Sequence, residues 1–273
     1  MTAALLEGFA FGESPRWHDG RLWFADWLAH EIVAVSPAGE REVVFRAGFP
    51  TMPMCFDFAG GRPLIVSSSD GLLLRLLEDG SLVTHADLGA TGFNEIVVTP
   101  EGGCYVNGGG FDLMAGEEYR PGVILFVSPS GEVRQVAEDI AFGNGMALTP
   151  DGATLIVAES YANRLTAFSV RPDGGLANRR VWADLGDGYP DGIALDASGA
   201  VWVADVPHKS CTRVREGGEV LDRLTLDRGC FACALSEDTL YLVTQEWRGL
   251  DTVGTAEIRT GRLLTHPAPA GRA

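Results

Sequence analysis

The feature that most constrains this chain is a repeat of two short β-rich runs separated by a turn that ends in glycine. Two clear copies are NGMALTPDGATLIVAE, which begins at Asn144, and DGIALDASGAVWVAD, which begins at Asp191. The same form recurs, with looser similarity in the last three, from Asn94, Glu13, Pro53 and about Phe231. Successive copies therefore begin 40, 41, 50, 47 and about 40 residues apart. A period of about 40–50 residues built only of short strands is typical of β-propeller blades, each a four-stranded antiparallel sheet.

Six copies predict an all-β, six-bladed β-propeller that occupies residues 1–273 as a single domain. Turns that end in Gly39, Gly131 and Gly174 have the composition of hairpins, in which glycine supplies a positive φ. No window shows sustained 3.6-residue apolar spacing, so we expect almost no helix. A β-sandwich is the alternative, but it does not require strands to recur in similar groups. Because a closed ring joins its first and last blades, we expect the leading strand around Ala4–Phe11 to complete the sheet of the last repeat.

Charge and composition exclude several kinds of partner. The formal net charge is −16, so nucleic acid and anionic membranes would repel the protein at long range. The first residues lack the basic and apolar regions of a signal peptide, and no stretch approaches the roughly 20 apolar residues that cross a bilayer. We therefore expect a soluble, cytoplasmic protein, either a monomer or a weak homodimer, that acts on a small molecule.

The five cysteines, an odd number in a long chain, predict core thiols rather than a disulfide framework.

The first position of the repeat identifies a candidate metal site. The innermost strand of each propeller blade runs along the central channel, so equivalent positions of successive blades form a ring around the axis. Four copies carry an oxygen-bearing side chain there: Glu13, Asn94, Asn144 and Asp191. Such donors match Ca²⁺, Mg²⁺ or Mn²⁺, and Zn²⁺ also accepts oxygen ligands. The alternative is that Asn and Asp before glycine only make turns where strands enter the channel, but this does not account for Glu13.

A second set of acids ends the second strand of three copies: Asp26, Glu159 and Asp205. Their local frame recurs as LWFAD, LIVAE and VWVAD, so we predict that they bond to neighbouring turns rather than to a metal. The five histidines show no metal-binding spacing, and the sequence has no G-x-S-x-G nucleophile motif and no phosphate-binding glycine loop.

Four segments in register with the repeat resemble the SMP-30, gluconolactonase and regucalcin (LRE-like) family of six-bladed propellers. They are GESPRW (12–17), FNEIVVTPEG (93–102), FGNGMALTPDG (142–152) and PDGIALDASGAVWVAD (190–205). The resemblance extends over essentially the whole chain. It implies that Glu13, Asn144 and Asp191 bind one divalent metal, and that Asn94 lies beside the metal and the substrate. It also implies lactone hydrolysis, in which the metal polarises the carbonyl and activates water and Asp191 is the general base.

Two departures from the family pattern bear on the substrate. Sugar-lactone members commonly carry an arginine two residues before the channel asparagine, where this chain has Gly92, and Asn94 is followed by Glu95 instead of the usual aspartate. Loss of the arginine removes a planar donor suited to sugar oxygens. The segments near the channel mouth are rich in apolar residues, namely Met52, Met54, Phe93, Phe111, Phe142, Tyr189 and Phe231. We expect Phe93, Phe111 and Tyr189 to contact the substrate, which would then be less polar than gluconolactone.

The segment Asn107–Pro121 contains three consecutive glycines and is long enough to cover the mouth as a flap. Two other functions stay open. One is a non-catalytic propeller that binds a metal or small molecule, although such a scaffold has no need for a potential base beside a metal. The other is an enzyme that uses this scaffold for cyclisation of, or addition to, a hydrophobic natural product.

Overall fold

The fold is a six-bladed β-propeller, as the repeat predicts. The computed structural model describes residues 2–49, 51–108, 110–111, 116–247, 249 and 259–273. Within these residues, 24 strands form six four-stranded antiparallel sheets. A three-residue 3-10 helix at Ser160–Ala162 is the only helix in this part of the chain. No helix among the same residues has the length and apolar character needed to span a bilayer.

The first three blades follow one another along the chain, each ordered from the innermost to the outermost strand. Blade 1 consists of β2 (Gly12–His18), β3 (Arg21–Asp26), β4 (Glu31–Val35) and β5 (Arg41–Arg46). Blade 2 consists of β6 (Met54–Ala59), β7 (Arg62–Ser67), β8 (Leu72–Leu76) and β9 (Leu82–Asp87). Blade 3 consists of β10 (Phe93–Val98), β11 (Cys104–Gly108), β12 (Gly122–Val127) and β13 (Val133–Ile140).

The remaining blades continue the pattern, except that the last one takes its outermost strand from the beginning of the chain. Blade 4 consists of β14 (Gly143–Leu148), β15 (Thr154–Glu159), β16 (Arg164–Val170) and β17 (Leu176–Asp184). Blade 5 consists of β18 (Pro190–Leu195), β19 (Val201–Asp205), β20 (Ser210–Val214) and β21 (Val220–Thr225). Blade 6 consists of β22 (Gly229–Leu235), β23 (Thr239–Gln245), β24 (Gly261–Pro267) and β1 (Ala3–Phe9).

The innermost strands form a closed ring around the channel. Each of β2, β6, β10, β14, β18 and β22 packs against the innermost strands of the two neighbouring blades. The six repeat positions lie in these strands or directly before them, so equivalent residues do face a common axis. The ring closes as predicted, because β1 pairs with β24 in the register Ala3↔Thr265 and Phe9↔Gly261.

The second strands are almost continuously apolar because each blade lies between two others. In β3, Leu22 and Phe24 pack toward blade 6, whereas Trp23 and Ala25 pack toward blade 2. Alternate side chains of a strand point to opposite faces, so a blade with both faces covered buries them all. All five cysteines are free and buried, which confirms the prediction of core thiols.

Candidate functional site

A cavity of about 260 Å³ opens at one end of the channel, and the four oxygen-bearing residues of the repeat line it together. Glu13 comes from blade 1, Asn94 from blade 3, Asn144 from blade 4 and Asp191 from blade 5. Blade 2 contributes Pro53, its own repeat position, without a polar group. Sequence positions as far apart as 13 and 191 therefore meet at one site.

β-Bulges explain how strand residues reach the cavity. The pairing of first and second strands shifts register directly after Glu13, at Asn94, and at the Asn144 and Asp191 positions. A bulge adds an unpaired residue and re-aims its side chain. Blade 2, which provides no oxygen ligand, pairs β6 with β7 without a shift.

The glycines that follow Asn144 and Asp191 are required by close packing between blades. A Cβ on Gly145 would lie 2.5 Å from the main-chain nitrogen of Ile193, and a Cβ on Gly192 would lie 2.6 Å from Cα of Ala232. Both dipeptides lie inside strands, β14 and β18, rather than in turns. The turn interpretation of Asn-Gly and Asp-Gly is therefore wrong, since neither glycine has a positive φ.

Without a bound cation, burial and nearby negative charges disfavour the ionised forms of Glu13 and Asp191. The pKa of Glu13 is raised well above its usual value by burial and then by the negative charges of Asp191 and Glu95. The pKa of Asp191 is also raised well above its usual value, mainly by burial and further by Asp205 and Glu95, against a hydrogen bond from Asn144 that lowers it. No lysine, arginine or histidine is among the described residues that line the cavity.

Glu95 is not available to this cavity, because Arg16 holds it on the other side of the ring. Nη2 of Arg16 donates to Oε1 of Glu95 at 2.8 Å, and Nε lies 3.4 Å from Oδ1 of Asp57. Arg16 itself lines a separate cavity at the opposite mouth of the channel. The glutamate that follows Asn94 therefore pairs with a channel arginine instead of entering this cavity.

Two asparagines of blade 3 hold the segment of blade 4 that carries Asn144. Nδ2 of Asn107 donates to the main-chain oxygen of Asn144 at 2.6 Å, and Nδ2 of Asn94 donates to that of Gly143 at 3.4 Å. Asn107 is completely buried, and its Oδ1 has no hydrogen-bond partner. Asn107 was not predicted from the sequence. A signal was present, because the equivalent position of three other second strands is an alanine: Ala25 in β3, Ala158 in β15 and Ala204 in β19.

The acids at the ends of the second strands fix the segments that enter the cavity, as predicted from their frame. Asp26 accepts from the main-chain nitrogens of Ala10 and Phe11 at 3.0 and 2.9 Å. Glu159 accepts from Ala141 at 2.8 Å, and Asp205 accepts from Tyr189 at 2.9 Å. Each bond lies two or three residues before a candidate metal ligand, so these acids position the ligand strands.

The expected substrate contacts divide into two groups. Phe111 and Tyr189 line the cavity, and Tyr189 is 45% exposed at its rim. Phe93 does not, and this expectation is wrong: its side chain is fully buried in the apolar layer between blades 2 and 3. The reason is local, since Phe93 directly precedes the bulge that turns Asn94 toward the cavity. Met54 is likewise a core residue.

Several cavity residues were not predicted from the sequence: Phe11, Trp27, Ser160, Tyr161, Val206 and Trp247. Most of them could have been identified by their distance in sequence from a predicted site residue or from a second-strand acid. Phe11 stands two residues before Glu13, as Tyr189 does before Asp191. Trp27, Ser160 and Val206 each follow one of the three second-strand acids. Of the proposed flap Asn107–Pro121, residues 109 and 112–115 lie outside the described residues, so the flap stays a prediction.

The residues present fit a hard divalent cation. The buried carboxylate of Glu13 and the half-buried one of Asp191, without a cationic neighbour in the described lining, form with amide oxygens an all-oxygen donor set of the kind that Ca²⁺ and Mg²⁺ take. The described residues contain no cluster of three or more His, Cys, Asp or Glu side chains suited to a metal. A site here would therefore depend on Asn144 as well as on the two acids, and the metal stays a prediction.

A sequence model of the SMP-30/Gluconolactonase/LRE-like region matches residues 11–246. The chain belongs to this family. A 6-deoxy-6-sulfogluconolactonase from Pseudomonas putida is 27% identical over 240 residues, which span 83% of this chain and 79% of the relative. Regucalcin from Xenopus laevis is 27% identical over 223 residues, which span 75% and 71% of the two chains. Lactonases are thus among the relatives of this family member, at low identity.

The same propeller occurs in solved structures. The crystal structure of a calcium-binding protein, regucalcin, from Agrobacterium tumefaciens superposes with a TM-score of 0.77 at 21% identity, covering 99% of this chain and 97% of that one. At this identity the likeness shows the fold.

Proposed function

We propose that the protein is a metal-dependent hydrolase that opens a lactone ring, and that its substrate is less polar than gluconolactone. The observation that carries the proposal is the pair Glu13 and Asp191, two acids of raised pKa that line one largely aromatic cavity. Such a pair is costly to bury unless a cation balances it. The presence of lactonases among the family relatives supports the reaction class.

Glu13, Asn144 and Asp191 would hold the cation. When bound, a divalent cation polarises a carbonyl and lowers the pKa of water. Asp191 is the candidate general base, since it is the carboxylate on the blade 5 bulge and accepts a hydrogen bond from Asn144. Asn94 keeps a second N–H and its Oδ1 for the substrate, because only one N–H is used on Gly143.

With these groups, the hydrolysis needs one water molecule and one proton transfer in each direction at Asp191. Asp191 removes a proton from water as the water oxygen bonds to the acyl carbon. The ring C–O bond breaks, and the same proton passes from Asp191 to the departing alkoxide. The product is an open-chain hydroxy acid.

Asp191→Asn tests this assignment, because it keeps the shape of the side chain and removes the base. We expect kcat to fall about 100- to 10,000-fold, the usual contribution of a general base, in a lactone panel assayed with Ca²⁺, Mn²⁺, Mg²⁺ or Zn²⁺ and with a chelator. Asp87→Asn, on an exposed outer strand, is the matched control and should retain activity. Full activity in Asp191→Asn, or in chelator, would contradict the proposal.

A second candidate function is favoured by the apolar lining: an enzyme that cyclises or adds to a hydrophobic compound at the same cavity. Isotope-labelled water separates the two. Hydrolysis places one labelled oxygen in each product molecule, whereas a cyclisation places none. A non-catalytic binding propeller would retain ligand binding in Asp191→Asn and show no turnover in the unmodified protein. We further propose that the enzyme is cytoplasmic.

A further inference from the structure

Two groups of aromatic side chains line the cavity. The first group, here called wall A, consists of Phe111, Phe142 and Tyr161. Phe142 and Tyr161 stack with ring centroids 4.8 Å apart at 28°, and Phe111 lies 5.5 Å from Phe142. The second group, wall B, consists of Phe11, Trp27, Phe231 and Trp247.

Wall B is also a continuous ring cluster. Phe11 stacks on Trp27 with centroids 5.3 Å apart at 10°, and its edge meets Phe231 at 5.1 Å. Phe231 in turn contacts Trp247 at 5.8 Å. Among the ring contacts of the described residues, none joins wall A to wall B.

The two walls stand on opposite sides of the channel axis. Wall A belongs to blades 3 and 4, since Phe111 follows β11 and the other two flank β14 and β15. Wall B belongs to blades 1 and 6, since Phe11 precedes β2, Trp27 follows β3, and the other two residues lie in β22 or follow β23. In a closed ring of six blades, the junction between blades 3 and 4 lies across from the junction between blades 6 and 1.

Wall B is held in place before any ligand binds. Nε1 of Trp27 donates to the main-chain oxygen of Met54 at 2.8 Å, and the main-chain nitrogen of Trp27 donates to the main-chain oxygen of Phe11 at 2.8 Å. Trp27 and Phe231 are 8% and 4% exposed. On wall A, the main-chain nitrogen of Tyr161 donates to Ala141 at 3.1 Å. A cavity with ring faces already fixed in walls A and B favours a flat ligand, because binding of such a ligand requires little reordering of side chains.

Resting on the proposed function, we infer that the substrate is an uncharged lactone with an aromatic substituent, which lies between walls A and B while the ester group faces Glu13, Asn144 and Asp191. Aromatic faces attract another ring in offset-stacked or edge-on arrangements beyond the burial of apolar area. A sugar lactone would instead bury its hydroxyls against rings that offer few hydrogen-bond partners.

Three lactones with the same five-membered ring test the inference: γ-phenyl-γ-butyrolactone, γ-cyclohexyl-γ-butyrolactone and gulono-γ-lactone. We expect kcat/KM to be highest for the phenyl compound, by roughly fivefold over the cyclohexyl one, the size of a ring–ring contribution. The polyhydroxylated lactone should be lower by a further factor of roughly ten or more. Equal or greater kcat/KM for gulono-γ-lactone would overturn the inference and leave the lactonase proposal intact.

Two variants assign the preference to the walls. Tyr161→Leu and Phe231→Leu remove a ring but keep an apolar side chain, so they should lower kcat/KM for the phenyl lactone while changing that for the cyclohexyl lactone less than about twofold. Tyr161→Phe should retain the preference. Trp17→Leu, at the opposite mouth of the channel, is the control and should leave the phenyl-to-cyclohexyl ratio unchanged. An unchanged ratio in both wall variants would refute the role of the walls.

Binding of γ-phenyl-γ-butyrolactam, which resists hydrolysis, makes the inference testable without turnover. Quenching of tryptophan fluorescence should report tighter binding than for the cyclohexyl lactam, and Tyr161→Leu should abolish the difference. If no lactone is hydrolysed but this difference is present, the hydrolase proposal fails and the aromatic ligand stands. If lactones are hydrolysed and the difference is absent, the aromatic ligand fails.

Discussion

Asn107 of blade 3 donates a 2.6 Å hydrogen bond from its side-chain amide to the main-chain oxygen of Asn144 in blade 4. This bond crosses the interface between two blades and ends on a candidate metal ligand. Because Asn107 is completely buried, its removal would take this donor from a buried main-chain oxygen, which is costly.

Asn107→Leu should weaken metal binding about 10- to 100-fold, as loss of a residue that orients a metal ligand does. Calorimetric titration with Ca²⁺ or Mn²⁺ measures this. Thr244→Val is the matched control, because Thr244 is equally buried and donates to the main-chain oxygen of Arg262 at 2.9 Å in blade 6. It should cost similar stability, about 1–3 kcal/mol, with unchanged metal affinity. Equal losses of affinity in the two variants would indicate a general effect of destabilisation.

A divalent cation should raise the Tm, because binding to the folded state adds about 2.7 kcal/mol of stability when the cation concentration is a hundredfold above Kd. Without cation, the double variant Glu13→Gln, Asp191→Asn should be more stable than the unmodified chain, because it removes two carboxylates whose pKa values are raised by desolvation and by neighbouring negative charges. Addition of the cation should leave the Tm of the double variant unchanged. Calorimetric scans in chelator and in millimolar Ca²⁺ or Mn²⁺ provide the comparison, and a cation response in the double variant would contradict the ligand assignment.

Glu159→Gln should lower the free energy of unfolding by about 1–3 kcal/mol, since a fully buried acceptor loses charge-assisted bonds to partly exposed arginines. Glu159 accepts from Arg164 at 3.0 Å, from Arg179 at 3.2 Å and from the hydroxyl of Thr166. Denaturant titration measures the change. The control is Glu78→Gln, whose partner Arg62 is on the surface, and which should cost about 0.5 kcal/mol or less. Similar costs for both variants would show that the buried acid is not a structural anchor.

Tyr105 should make the protein lose stability in alkali. Burial raises the pKa of Tyr105 to about 12, and its hydroxyl donates to the main-chain oxygen of Gly174 at 2.9 Å. An unfolded tyrosine releases its proton near pH 10, so between about pH 10 and 12 the native state binds more protons and stability falls as pH rises, by about 3 kcal/mol in total. Tyr105→Phe should flatten that part of the curve, and Tyr189→Phe, at an exposed position, should not. A curve that Tyr105→Phe leaves unchanged would contradict this assignment.

The repeat predicted the fold because blade spacing, strand alternation and turn glycines all recur in the printed sequence. It also selected the four polar cavity residues, since equivalent positions of a ring must face its axis. It misplaced Phe93 because no sequence pattern distinguishes the residue in a bulge, Asn94, from the one before it. The same bulges turned out to be the reason why Asn144 and Asp191 reach the cavity.

The apolar lining was only partly predictable. Phe111 and Tyr189 were recognised, but Trp27 belongs to a segment that looks like an ordinary turn after Asp26. Its position in the cavity depends on contacts with Phe11 and with Met54 of blade 2, which the local sequence does not specify. Trp247 escaped notice because the last repeat has diverged most from the others. Asn107 was overlooked because its role depends on a neighbouring blade.

The pairing of Ala3 with Thr265 has a consequence for the growing polypeptide on the ribosome. Strand β1 has no partner until β24 has been translated. Blade 6, which takes β1 as its outermost strand, therefore becomes a complete four-stranded sheet only after the other five blades have been made. Single sheets can form while the chain is still being made, but Glu13 in blade 1 is fixed relative to Asn144 and Asp191 in a closed ring only after β24 pairs with β1.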